Sequence, residues 1–109
     1  MLCLKLYIGD QVRLSHKDGP RIGILTLRSI WRYSEKIRLD YHSEHSANLA
    51  SIIVPMSEAN RLRPTVLGDD PSITICYLKY TNGGPRIGIQ ADPTKVDILR
   101  VSRKDVIQP

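Results

Sequence analysis

Phenylalanine is absent from this chain of 109 residues, tryptophan occurs once, at Trp31, and the other rings are Tyr7, Tyr33, Tyr41, Tyr77 and Tyr80. A core without phenylalanine must be built from Ile, Leu and Val, which suits pleated sheets better than helices. Cysteine is nearly as scarce. Cys3 and Cys76 are the only two, and no CxxC pair exists, which argues against a disulfide-dense scaffold and a zinc ribbon. Both cysteines lie in apolar alternating runs, so two buried free thiols are expected rather than a disulfide. No apolar run approaches the ~20 residues of a membrane-spanning helix, and residues 1–8 are too short and too mixed for a secretory signal. A cytoplasmic protein without a membrane partner is the expectation.

A catalytic constellation is also lacking. His42-Ser43-Glu44-His45 has no third metal ligand in register, and a nucleophile would need a base and an orienting acid in one pocket. Asp69-Asp70 is explained by a turn. Gly83-Gly84 lacks the lysine and following helix of a phosphate loop. No enzyme, no cofactor and no metal are expected, so the chain is read as a binder.

What the chain does carry is positive charge. Sixteen Lys and Arg face eleven Asp and Glu, for a net charge of +5 and a pI near 9.5. Such a balance favours polyanionic partners, with simple solubility as the plain alternative. The length suits one compact domain or two very small barrels sharing a core.

Period-two patterns recur along the chain and long helical ones do not. Strands are expected at 2–8, Gln11–Leu14, Arg21–Trp31, Lys36–His42, Ser51–Pro55, Ser72–Tyr80, Arg86–Gln90 and Lys95–Val101. In Lys36–His42, Ile37, Leu39 and Tyr41 share one face, and Arg38, Asp40 and His42 the other. Lys17–Pro20 is a turn cluster, and Asn82-Gly83 is the strongest hairpin signal because both residues tolerate positive φ. Ser57–Arg61 suggests one helical turn, and residues 63–71 read as a linker. Ser102–Asp105 has a capping form that predicts a short C-terminal helix. Gly19–Ile24 (GPRIGI) recurs letter for letter as Gly84–Ile89, which fits either a duplicated module or two hairpins sharing turn chemistry.

The run Ile73–Leu99 (ITICYLKYTNGGPRIGIQADPTKVDIL) resembles the core of the carbon storage regulator (CsrA/RsmA) family of small bacterial post-transcriptional regulators. The strand Ile73–Tyr80, the turn Asn82–Gly84, the strand Arg86–Gln90, the turn Ala91–Pro93 and the strand Val96–Arg100 match its parts in order. Asp92 is one extra residue. Leu67–Asp70 resembles the upstream turn, and Met1–Leu4 with Gly9-Asp10 resembles the opening strand. Residues 15–66 then offer a degenerate first copy, with Ile22–Ile30, Lys36–Tyr41 and Ser51–Pro55 as strands, so the chain would be a tandem version of a family homodimer. A rival resemblance covers residues 8–62. Gly9–Leu14, Gly19 to Ile24, Ile37–Tyr41 and Val54–Glu58 look like a KOW- or Tudor-like SH3 barrel.

The regulator resemblance implies RNA along the first strand and the basic end of the last, reading a GGA-containing loop through backbone groups and an arginine. It places Leu4 and Lys5 on the first strand and Arg100 at the basic end, with Arg103 as alternative and Lys104 beside it. Arginine suits the task because its planar fork reaches guanine or phosphate with two hydrogen bonds. Two consecutive first-strand arginines of the family are here Leu6 and Tyr7, and Tyr7 offers base stacking instead. A solvated chain end is the plain alternative for Arg100, Arg103 and Lys104. Arg28, Arg32, Arg61 and Arg63 near Trp31 and Tyr33 form a looser basic set, for which a buried or interfacial Trp31 with solubilising arginines is the favoured explanation.

The expectation is therefore an all-β fold, a small barrel or sandwich with a short C-terminal helix. It divides into an N-terminal β module, residues 1–64, and a regulator-like β module, residues 65–109. Its expected function is RNA-binding regulation of translation. The alternatives are an SH3-like protein-interaction module of a larger complex, and a regulator-like partner that has lost RNA binding. Single-stranded or hairpin-loop RNA is the expected partner, with a homo-oligomer or protein partner as a further option.

Overall fold

The structure, a computed structural model, describes residues 1–44, 49–57, 64–67 and 70–106. The fold is all-β. The strands are β1 (Leu2–Lys5), β2 (Gln11–His16), β3 (Arg21–Trp31), β4 (Lys36–Ser43), β5 (Leu49–Pro55), β6 (Thr65–Leu67), β7 (Asp70–Thr81), β8 (Gly84–Gln90) and β9 (Val96–Val101). They form two antiparallel sheets in the orders β1-β8-β7-β6 and β5-β4-β3-β2-β9. Alternation explains the core: Val12 and Leu14, Leu25 and Leu27, Ile37 and Leu39, Ile73 and Ile75, and Ile87 and Ile89 all turn inward and are fully or almost fully buried. Asn82 and Gly83 both have positive φ and close the β7–β8 hairpin with Thr81 opposite Gly84, the geometry of a two-residue primed turn.

The first sheet repeats the order of the second with every strand number shifted by four, and each half of the chain lends its first strand to the other: β1 pairs with β8 and β5 with β4. The register matches as well. On β3, Leu27 faces Leu39 and a bulge precedes Ser29 opposite Arg38. On β7, Tyr77 faces Ile87 and a bulge precedes Lys79 opposite Arg86. Ile53 faces Arg38 as Lys5 faces Arg86. Among the described residues, β9 alone has no counterpart. The two GPRIGI hexamers lead into β3 and β8, which the shift of four does not relate; Gly19-Pro20 lie in the turn before β3, whereas Gly84-Pro85 already belong to β8.

Several expectations are corrected. Residues 63–71 are not a plain linker, because β6 and the start of β7 lie within them. The C-terminal helix is not seen. Ser102–Asp105 is a single turn in which the Asp105 N–H donates to the Ser102 carbonyl at 2.8 Å, and the Arg103 N–H is committed to the Asp10 carboxylate at 2.7 Å. Cys76 is buried but Cys3 is exposed, since Cys3 lies on the outward face of an edge strand opposite Gly88. Trp31 is 42% exposed, so it is not a core residue. Of Ser57–Arg61, only Ser57 lies within the described residues.

Candidate nucleic-acid interface

β1 and β9 are the end strands of their respective sheets, so their free edges flank an opening in the sandwich. A groove of about 420 Å³ lies there, lined by Leu2, Ile89 and Ala91 on one side and Val96 and Ile98 on the other. Val96, Ile98 and Arg100 pair with His16, Leu14 and Val12. Because Leu14 and Val12 are core residues, Arg100 takes an inward position on β9 and reaches across the gap. Its Nε donates to the Lys5 carbonyl at 2.8 Å and its Nη2 to Asp10 Oδ2 at 2.8 Å. The groove is thus bridged at its β1 C-terminal end by a guanidinium.

Asp10 is the residue that sequence reasoning missed. It is 1% exposed, and its carboxylate gathers three donors from the two ends of the chain. Oδ2 accepts from the Tyr7 N–H at 2.9 Å and from Arg100, while Oδ1 accepts from the Arg103 N–H. A buried carboxylate held this way requires its counter-charge. The local signal is the Gly9-Asp10 turn: Gly9 has φ +97°, and Asx side chains commonly bond nearby backbone N–H groups. Sequence alone does not say that residues 100 and 103 would complete the set.

The turn sets Tyr7 over the β7–β8 hairpin, where a Cβ added to Gly83 would lie 3.9 Å from the tyrosine ring. Lys5 Nζ stands 5.1 Å from the Tyr7 ring centroid and Arg103 Cζ stands 6.0 Å from it, both within cation–π range. Nearby, Arg32 lies 5.0 Å from the Tyr80 ring centroid. Such alternation of rings and cations can stack a base and hold its phosphate.

Of the six candidate residues, Lys5, Tyr7, Arg100 and Arg103 therefore come together. Leu4 packs against the core, so its side chain is turned away from a ligand and only its strand edge faces the opening. Lys104 is exposed without a contact to this cluster among the described residues. Arg100 is a bridge with two nitrogens already committed. In the looser basic set, Arg28 binds Asp40 at 2.8 Å, an acid it shares with Arg38 of β4 at 3.2 Å, Arg32 meets Tyr80, and Arg61 and Arg63 lie outside the described residues. Asp69 and His45 also lie outside them. Comparison with family models, with curated proteins and with solved structures returns no match for this chain.

Proposed function

We propose that this chain binds RNA in the manner of the carbon storage regulators and so modulates translation in the cytoplasm of a bacterium. One observation carries the proposal: Lys5 and Arg103, nearly the length of the chain apart, meet around the Tyr7 ring beside two strand edges at the ends of their sheets. Apart from the Lys5 carbonyl, which Arg100 holds, the edge of β1 offers backbone donors and acceptors to unpaired bases, as the family resemblance implies. Tyr7 offers a stacking surface, and Lys5 and Arg103 neutralise phosphate. The tandem topology fits the reading too, because each half completes its sheet with the other half's first strand. Binding of a GGA-containing hairpin, compared with a scrambled hairpin over a salt series, tests it. Preference for the GGA loop with a steep salt dependence is expected. No binding at low salt, or binding indifferent to loop sequence, rejects the regulator assignment.

A second reading rests on a different observation. Tyr33 is fully exposed and Trp31 is 42% exposed, and an open groove of about 400 Å³ is lined by residues 30–34. This hairpin tip suits a protein partner, because exposed aromatic and arginine side chains are common interface anchors.

A further inference from the structure

Lys5, Arg86 and Lys79 stand in register across three neighbouring strands, with Lys5 opposite Arg86 and Arg86 opposite Lys79. Directly opposite residues share a sheet face, and neighbouring strands are ~4.8 Å apart, so the row spans ~10 Å. Like charges placed opposite one another destabilise a sheet. Most other charged clusters in this protein are balanced: Arg21 by Glu44, Arg28 and Arg38 by Asp40, Arg100 by Asp10, and Lys17 by Asp97. In the row, only Lys5 has a partner among the described residues, and it is the Tyr7 ring.

The surroundings do not neutralise the row either. The next outward row is Cys3, Gly88 and Cys76, and the Met1 thioether covers Gly88, with Cys76 Sγ 3.4 Å from Met1 Sδ. Beyond it, Gln90 faces Thr74. No carboxylate occupies these paired positions. The corresponding row of the other sheet is Ile53, Arg38 and Ser29, with a single cation that Asp40 pairs. The excess charge is therefore specific to the row at the end of β1, the strand that leads into Tyr7.

We infer that this row is a phosphate track for single-stranded RNA leaving the Tyr7 site, a proposal that rests on the RNA-binding reading. A base stacked on Tyr7 places its flanking phosphate at Lys5, and the next phosphates cross the sheet at Arg86 and Lys79. The track would read no sequence. It adds about two salt-sensitive contacts and favours loops with an unpaired tail.

The test compares the intact chain with two double variants of equal charge, Lys79→Gln with Arg86→Gln on the track, and Lys36→Gln on β4 with Lys95→Gln in the turn before β9. The probe is a GGA hairpin with and without a single-stranded tail, titrated between 50 and 200 mM salt. Loss of two phosphate contacts lowers the log–log salt slope by about 1.4, so affinity should fall about sevenfold less across that range in the track variant. The tail should strengthen binding of the intact chain and of the control variant but not of the track variant. The track variant should melt at or above the temperature of the intact chain, since like-charge repulsion is relieved. Equal slopes in both variants, or displacement by polyaspartate as effective as displacement by RNA, overturns the track while leaving hairpin binding standing. An intact chain that binds no hairpin at low salt overturns both proposals.

Discussion

Arg100 on the last strand donates a 2.8 Å hydrogen bond to the buried carboxylate of Asp10 in the first turn, ninety residues away in sequence. The same guanidinium holds the Lys5 carbonyl. The two sheets are therefore fastened together where Lys5, Tyr7 and Arg103 converge.

Arg100→Ala should destabilise the fold by about 2–4 kcal/mol. Removing one partner of a buried pair leaves the other uncompensated, discounted here because Arg100 is partly exposed. Arg100→Lys should recover only part of the loss, because an ammonium lacks the planar fork that serves Asp10 and Lys5 together. Urea unfolding of both variants checks this. Equal stability of Arg100→Ala and the intact chain would contradict the clasp.

The two thiols should differ sharply in reactivity. Cys3 is exposed and Cys76 is buried beneath Met1, so a thiol reagent should modify one cysteine rapidly in the native state. Cys76 should react only on unfolding. Peptide mapping after a brief exposure identifies the labelled residue, and labelling of Cys76 at the rate of Cys3 would contradict the packing.

The Asp92 carboxyl is held below its ordinary value of 3.8, first by the Thr94 hydroxyl and then by the Thr94 N–H, with Lys95 adding a smaller attraction against a slight desolvation. The hydroxyl bond is 2.7 Å and the N–H bond 2.9 Å. A lowered carboxyl favours folding above its unfolded value, and that contribution is lost as pH falls through the lowered folded value. The affected window thus lies in the acid range below the ordinary value. A carboxyl NMR titration should place Asp92 low, and Thr94→Ala should raise it. No response to Thr94→Ala would contradict the assignment.

Much of the strand plan was legible because alternation is a local signal. Arg21–Trp31 shows it over eleven residues, and Asn82-Gly83 announces its hairpin through φ alone. Three-residue β6 is too short to show a period, and Pro64, Gly68 and Pro71 around it disguise it as a linker. The exposure of Cys3 depends on Gly88 as its neighbour, and the burial of Asp10 depends on residues 100 and 103. Tyr7, Lys5, Arg100 and Arg103 were nominated by resemblance. That Arg100 bridges the sheets, that Leu4 turns inward and that Arg86 and Lys79 extend the positive surface all follow from register. Register between distant strands is not written in any single segment.

One RNA should bind per chain. The shift of four relates Lys5 to Ile53 and Tyr7 to Pro55, and β9 has no counterpart among the described residues. The second half of the pseudo-symmetric pair therefore lacks the ring, the lysine and the arginine-bearing strand. Native mass spectrometry with excess GGA hairpin should show a one-to-one complex, and two hairpins on a monomer would contradict the single site.

The most direct measurement maps backbone amide shifts while a GGA hairpin is titrated into labelled protein. The account predicts the largest changes at Lys5, Tyr7 and Arg103, with smaller ones at Arg86 and Lys79. Changes centred on Trp31 and Tyr33, with Lys5 and Tyr7 unmoved, would contradict it.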